Sequence, residues 1–336
     1  MPVKITVQPS GVMFDVLNGE SILDAAIRHN INLPYGCRNA MCGTCKAKLI
    51  SGDIDYGGFT PSGVNDDERA QGYILPCRAL PHGDLCIESP HVTSAKTLPV
   101  KRYPVTVARM ERLSHDVMRL LLNLPDQQRL QFFSGQYIDV LLNDGRRRSF
   151  SLANAPHDDQ HIELHIRHVD GGEFTDYVFN IMRENDRLNI EGPFGSFYFR
   201  EESLRPVILM AGGTGFAPIK GIVEHALAQH ITRPLHLYWG VRAQRDLYLD
   251  ALARQWLPKL NLRYCPVLSQ PAVEDHWQGR TGFVHEAIAA DFPDLSGFDI
   301  YMCGPPIMIH SAVERFRALG AVEDQLYSDA FEFAPK

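Results

Sequence analysis

Hydrophobic and polar positions change rhythm along the chain. Over residues 103–192 the short runs YPVTVARM, DVMRLLLNL, GQYIDVLL, RRSFSLAN, IELHIRHV and RLNIEG alternate, separated by Gly, Asn, Asp and Pro. Period-two alternation broken by turn residues predicts strands, and many such strands in series predict an antiparallel barrel. One segment departs from this. EFTDYVFNIM carries Phe174, Tyr177, Val178 and Ile181 at helical spacing, which predicts a helix with these four on one face. After about residue 200 the runs PVILM, PLHLYWG, LRYCPVLS and DIYMCG are short and apolar, and helical segments, one near 247–257, lie between them. Strand–helix alternation of this kind predicts a parallel sheet with helices on both faces. The first ninety residues are mixed. Strands are expected over 3–7, 12–16, 46–50 and in CIES, and a helix at SILDAAIRHN, where Ser21 followed by Asp24 makes a cap-like start.

At 336 residues the chain exceeds one ordinary core. Residues 89–104, SPHVTSAKTLPVKRYP, hold three prolines and few large apolar residues, and read as a linker. The expected organisation is therefore residues 1–90, a linker over 91–101, a barrel over 102–200 and a parallel-sheet domain over 201–336. The fold class is multidomain, α+β and α/β. Apolar residues make up 45 % and charged residues 22 %, as in soluble globular proteins. A net charge of −7 argues against a nucleic-acid partner, which needs a basic surface. No run of 18 apolar residues occurs, so no membrane span is expected. The opening MPVKITVQPSG alternates like a strand and lacks a signal-peptide pattern. Seven cysteines, an odd number, then point to a reducing compartment, the cytoplasm, and to thiols engaged with metal rather than disulfides.

Three of those cysteines fall within CRNAMCGTC: Cys37, Cys42 and Cys45. Cys77, in YILPCRAL, follows after 31 residues and completes C-x4-C-x2-C…C, the plant-type [2Fe–2S] spacing. One tight loop can bring three thiolates to a cluster while a distant segment closes the other side. Gly36 and Gly43 let the loop turn sharply and aim N–H groups at sulfur. Two other readings stand beside this one. Cysteines also serve as small core hydrophobes, which suits Cys86 and Cys265. Zinc sites usually use paired C-x2-C elements, of which only one occurs here. Residues 1–90 resemble a plant-type ferredoxin, which implies a β-grasp fold.

RSFS, residues 148–151, resembles the R-x-[FY]-S element of the ferredoxin–NADP reductase superfamily. The resemblance implies a flavin, usually FAD and in some members FMN. Arg148 is expected on its pyrophosphate, Phe150 against its ring and Ser151 near N5, with Ser149 and Arg167 also in the flavin site. An always-charged guanidinium fork suits a phosphate. An edge strand also often carries a solvated Arg and a half-buried Phe, so RSFS alone does not separate the two. GGEFTDY adds a helix start with Gly172, Phe174 and Thr175, and helix N-termini bind anions. In the family this segment holds the pyrophosphate from the other side; an ordinary glycine turn before a helix has the same sequence.

GGTGFAP, residues 212–218, follows a strand and opens a helix, where glycines admit a pyrophosphate. Pro218 stands where G-x-G-x-x-G has its third glycine, a departure that matches the superfamily. Gly213, Thr214, Gly215 and Pro218 are the expected coenzyme contacts, with Arg242. CGPPIM adds Cys303, Gly304, Pro305 and Met308, the cysteine lying near the nicotinamide in relatives; without the Gly-Pro-Pro it reads as a core thiol. Phe331, in the closing YSDAFEFAPK, is the expected aromatic at the flavin ring, or else a core aromatic.

The order ferredoxin, flavin barrel, nucleotide sheet resembles reductase components of bacterial oxygenases and of deoxysugar dehydrases. It implies an electron relay from NADH through FAD and the cluster to a terminal oxygenase or other electron-accepting protein, and a monomer. Ser151 and Cys303 have positioning roles, and no general base is named. The rivals are a stand-alone flavin or ferric reductase, which the C-terminal DAF resembles, and a non-catalytic iron–sulfur sensor.

Overall fold

The computed structural model describes residues 3–89, 92, 98–126 and 128–331. The described residues divide into two compact units, one up to Pro99 and the other over Val100–Phe331. Most of the expected linker lies outside the described residues.

In the first unit five strands form one sheet in the order Val12–Val16, Val3–Gln8, Leu85–Glu88, Ala47–Ser51, Tyr73–Ile74. The central pair, Val3–Gln8 and Leu85–Glu88, is parallel and the others antiparallel. Alternation places Ile5, Val7, Phe14, Val16 and Ile87 inside. The helix Ile22–Arg28 lays Ile22, Leu23, Ala25 and Ala26 on this core. Ser21 caps it, its hydroxyl accepting from the Asp24 N–H at 3.1 Å.

The second unit opens with the barrel. Its six strands run Arg147–Ser151, Tyr137–Leu141, Arg187–Phe194, Lys101–Arg112, Val117–Asn123, Ile162–Arg167, all antiparallel. A bridge between Leu152 and Leu164 joins the two edges and closes the barrel. Val105, Val107, Leu120, Leu122, Val140, Leu164, Ile166 and Ile190 fill it. The helix Glu173–Asn180 packs Phe174 and Val178 against them. Ile181 departs from the helical-face expectation: the helix ends at Asn180, Ile181 is exposed, and Met182 takes the buried place.

The remaining six strands form an all-parallel sheet in the order Arg280–Thr281, Leu262–Leu268, Leu235–Val241, Val207–Gly212, Asp299–Gly304, Leu326–Ala330. Alternate residues of Leu235–Val241 face opposite layers. Trp239 stacks on Phe216 at 3.8 Å between centroids, and His236 meets Phe292 edge-on at 5.0 Å on the other side. Helices therefore cover both faces. From Val207–Gly212 the chain winds one way, then returns to place Asp299–Gly304 on the other side. That reversal opens a crevice at the carboxyl ends of these two strands, where open α/β sheets bind ligands.

Candidate functional site

The cluster loop lies between the helix Ile22–Arg28 and the strand Ala47–Ser51. Arg38 and Ala40 take φ of 58° and 55°, and Gly43 takes 75°. A Cβ on Gly43 would sit 2.9 Å from the Gly63 carbonyl oxygen, so only glycine fits. The Ile22 and Leu23 N–H groups donate to the carbonyls of Ala79 and Pro76 at 3.1 and 3.0 Å. The segment carrying Cys77 is thus hung on the helix that leads into the loop.

The four thiols fall into two pairs, Cys37 with Cys42 and Cys45 with Cys77. Among the described residues no single point collects three His, Cys, Asp or Glu side chains. A structural zinc needs four ligands around one point. Two irons with two terminal thiolates each need two adjacent pairs, so the residues fit a [2Fe–2S] cluster. The N–H groups of Asn39 and Cys42 lie 3.4 Å from Cys37 Sγ, and Thr44 Oγ1 lies 3.2 Å from Cys42 Sγ. Such dipoles stabilise negative sulfur. The hydrogen bond from Cys42 takes the Cys37 thiol down to about 7, while that bond and burial push Cys42 up. The pair readily gives one proton and holds the second until metal displaces it. Cys86 and Cys265 are half-buried rather than core residues.

On the barrel edge Arg147, Arg148, Ser149, Phe150 and Ser151 alternate in direction. Arg147 pairs with Glu191 and, at 3.3 Å, with Asp139, to which Ser149 Oγ also donates at 2.6 Å. Arg148 points the other way, and among the described residues its guanidinium donates to the Arg147 carbonyl alone, at 2.8 Å. Its guanidinium is left for an anion. Phe150 lies on the same side, 5.5 Å from Phe174. At Gly172 the helix Glu173–Asn180 has no side-chain cap among the described residues, so no side chain takes its first-turn N–H groups there. A Cβ on Gly172 would meet Thr175 Oγ1 at 2.7 Å. Thr175 Oγ1 itself donates to the Gly172 carbonyl at 2.9 Å and closes the turn. An unpaired guanidinium, a half-buried ring and an open helix end suit a flavin with its pyrophosphate.

Across the sheet crevice the two segments expected to hold the coenzyme touch. A Cβ on Gly215 would lie 2.1 Å from the Cys303 carbonyl oxygen, and one on Gly212 would lie 2.5 Å from Met308 Sδ and 3.0 Å from Pro305 Cδ. Gly304, at φ 149°, sits with Gly212 Cα only 3.0 Å from where its Cβ would be. Trp239 Nε1 holds the Gly213 carbonyl at 2.9 Å. Pro218 falls in the first turn of the helix Phe216–Ala228, where its missing N–H costs nothing. Arg167, expected at the flavin, reaches this loop: its Nη1 lies 3.0 Å from a Gly213 Cβ position, while its Nε pairs with Asp116 at 2.8 Å. Arg242 is exposed at the end of the strand Leu235–Val241. The Phe331 N–H donates to the Gly304 carbonyl at 2.9 Å, which anchors that aromatic at the crevice.

Sequence reasoning missed the residue that joins these parts. Asp329 is paired in register with Cys303, and its Oδ2 accepts from Ser151 Oγ at 3.3 Å and faces Cys303 Sγ at 3.8 Å. Ser151 from the barrel edge and Cys303 from the parallel sheet thus meet on one buried carboxylate. The signal was an acid inside an apolar closing strand, the Asp of DAF. Burial raises Asp329 to about 6 against the pull of Ser151 and Cys303. Its folded value lies above the unfolded one, so its contribution favours the native state below pH ~4 and is lost as pH rises through about 6. Between pH 4 and pH 7 the wild type is expected to lose roughly 2 kcal/mol relative to Asp329→Asn. Denaturant unfolding of both at the two pH values checks this, and parallel pH profiles would contradict it.

Comparisons with known proteins identify three domains along the chain. Residues 5–82 match a 2Fe-2S iron-sulfur cluster binding domain, 104–199 an oxidoreductase FAD-binding domain and 209–314 an oxidoreductase NAD-binding domain. The CDP-6-deoxy-L-threo-D-glycero-4-hexulose-3-dehydrase reductase of Yersinia pestis is 40 % identical, over 98 % of this chain and 99 % of its own. Phenol hydroxylase P5 protein of Acinetobacter pittii is 36 % identical, over 98 % and 95 %. The crystal structure of the Amycolatopsis cytochrome P450 reductase GcoB superimposes with a TM-score of 0.83 at 33 % identity, covering 98 % of each chain. The chain belongs to the iron–sulfur flavoprotein reductases. Like them it is an oxidoreductase, with a [2Fe–2S] cluster, FAD and a nicotinamide dinucleotide as its cofactors. No described helix of this reductase is long and apolar enough to cross a membrane.

Proposed function

We propose that this reductase takes electrons from NADH through FAD to its [2Fe–2S] cluster and delivers them singly to the terminal oxygenase component of a hydroxylase or dioxygenase. The observation that carries this reading is a complete thiol quartet in the same chain as a complete flavin and coenzyme cleft. A stand-alone flavin reductase needs only the second. FAD, when bound, accepts a hydride as an electron pair and releases electrons one at a time, which suits a one-electron cluster. The chain's part is placement. Arg148 and the first-turn N–H groups of the Glu173–Asn180 helix hold the flavin pyrophosphate, with Phe150 and Phe331 against its ring. Gly213, Thr214 and Gly215 admit the coenzyme pyrophosphate, and Arg167 approaches it from the barrel. Ser151 and Cys303, both turned toward Asp329, position the reacting ends. The protein acts as a cytoplasmic monomer.

Removing residues 1–95 is expected to abolish NADH-driven cytochrome c reduction and to leave reduction of a two-electron dye. Cytochrome c reduction that survives the truncation rules out relay through the cluster. The identity to the Yersinia dehydrase reductase favours a second reading, in which the acceptor is a sugar dehydrase. Acceptor chemistry separates the two: an oxygenase consumes O2 with NADH, whereas a dehydrase takes electrons without it.

NADH is the proposed coenzyme. Asp246 accepts from the Ala243 N–H at 3.1 Å and lies 3.9 Å from Arg245 Nε, offsetting one of the two arginines near the adenosine end. The specificity constants for NADH and NADPH, in wild type and Arg242→Ala, measure this. A tenfold preference for NADPH, ~1.4 kcal/mol, that disappears with Arg242 would reverse the assignment.

A further inference from the structure

Lys220 lies on the coenzyme helix Phe216–Ala228 and is 5 % exposed. Its Nζ donates to the Ala153 carbonyl at 3.1 Å, to Glu163 Oε2 at 3.2 Å and to Glu224 Oε2 at 2.8 Å. Ala153 and Glu163 belong to the barrel, and Ala153 stands two residues beyond Ser151. Glu163, also buried, pairs with His165 Nε2 at 2.8 Å and with Arg119 Nε at 3.1 Å. His165 Nδ1 lies 3.1 Å from the Tyr248 hydroxyl, back on the nucleotide side. One residue after Lys220, a Cβ on Gly221 would lie 2.9 Å from the Asn154 carbonyl oxygen. The helix and the Leu152–Asn154 backbone are therefore in direct contact, pinned by a charged network.

Stability does not explain this lysine. Stripping water from an ammonium and a carboxylate costs about as much as their pairing returns, and an apolar pair of similar volume often does as well. Its three hydrogen bonds all go to protein acceptors. Direction is what it adds: an apolar contact can slide, whereas an ammonium shared between a fixed carbonyl and a carboxylate cannot. We propose that Lys220 is a positioning residue for hydride transfer, locking the backbone after Ser151 in register with the Gly212–Gly215 coenzyme loop. This rests on the reading of Ser151 as the flavin-side residue.

The test uses full-length holoprotein and stopped-flow reduction of its flavin by NADH. In Lys220→Met the limiting rate is expected to fall on the order of 10- to 100-fold, the effect of displacing reacting groups by a fraction of an ångström to an ångström. The half-saturating NADH concentration, flavin content, cluster spectrum and light-driven reduction of the flavin stay at wild-type values. Glu163→Gln weakens the same contact from the barrel side and lowers the rate too. The double variant falls no further than the worse single, as two residues in one interaction require. If Lys220→Met loses its flavin, Glu163→Gln carries the test alone. Wild-type limiting rates, additive losses, or an equal loss in light-driven reduction overturn the proposal. Ser151→Ala is the reference: a slow Ser151→Ala beside a wild-type Lys220→Met removes the lock and leaves the site reading intact. The reverse pattern leaves the lock and removes the role of Ser151.

Discussion

Replacing Cys37, Cys42, Cys45 or Cys77 by Ser is expected to abolish the [2Fe–2S] absorption or perturb it strongly, while the flavin stays bound. The pairs Cys37–Cys42 and Cys45–Cys77 would each supply two thiolates to one iron, so any single loss would leave one iron short. Loss of a mere outer-shell partner costs roughly 10- to 100-fold in metal affinity or activity, and loss of a ligand costs more. NADH-driven cytochrome c reduction should therefore fall by more than about 100-fold. Reduction of a two-electron dye should persist, because the FAD-binding and NAD-binding domains belong to the other unit. Cys86→Ser and Cys265→Ser serve as controls. Cys86 sits within the strand Leu85–Glu88 opposite Thr6, and Cys265 within the parallel sheet opposite Tyr238. Neither belongs to a thiol pair. Iron and sulfide content with the visible spectrum decides the matter: a Cys86 variant that lost the cluster would displace Cys77 from the assignment.

The parts legible in the sequence were those where local chemistry sets local geometry. The thiol spacing, the Ser21 cap, the alternating strands and the glycine loop each follow from a few adjacent residues. The strand Val12–Val16 ends where the alternation does, and the helix Asp250–Trp256 lies inside the expected 247–257. The short helix Asp66–Ala70 went unread because no apolar stripe marks it; its sign was the capping box of Asn65 and Glu68. Ile181 was misplaced because periodicity cannot see where a helix stops. Asp329 and Lys220 were illegible for a different reason. Each is a charged residue in an ordinary-looking segment, and its meaning depends on partners 178 and 57 positions away in the chain. Arg167 shows the same limit. Its strand was plain, but its nearness to Gly213 appears only once the barrel meets the sheet.

In the parallel-sheet domain, Gly215 has the closest approach of any described glycine. GGTG and CGPP, the segments proposed to hold the coenzyme, come from strands that are neighbours in the sheet but 87 positions apart between Gly212 and Asp299, and backbone contacts hold them together. A Cβ added at Gly215 would lie 2.1 Å from the Cys303 oxygen and 2.5 Å from its carbonyl carbon. These are main-chain atoms in a central strand, so no rotamer change relieves the clash. Either the loop or the strand end must move by about 1 Å, and a displacement of that size costs about 100-fold when it separates reacting groups. Gly215→Ala is therefore expected to slow NADH-driven flavin reduction on the order of 100-fold. Overpacking should lower stability by roughly 1–3 kcal/mol. Flavin content and the cluster spectrum should hold, because the RSFS strand and the thiol loop are untouched. Gly297→Ala is the matched control, since nothing lies within 4 Å of its Cβ position. Stopped-flow flavin reduction and thermal unfolding on the three proteins give the answer. A Gly215→Ala protein that reduces its flavin at the wild-type rate would mean the coenzyme does not depend on the seam between Gly215 and Cys303.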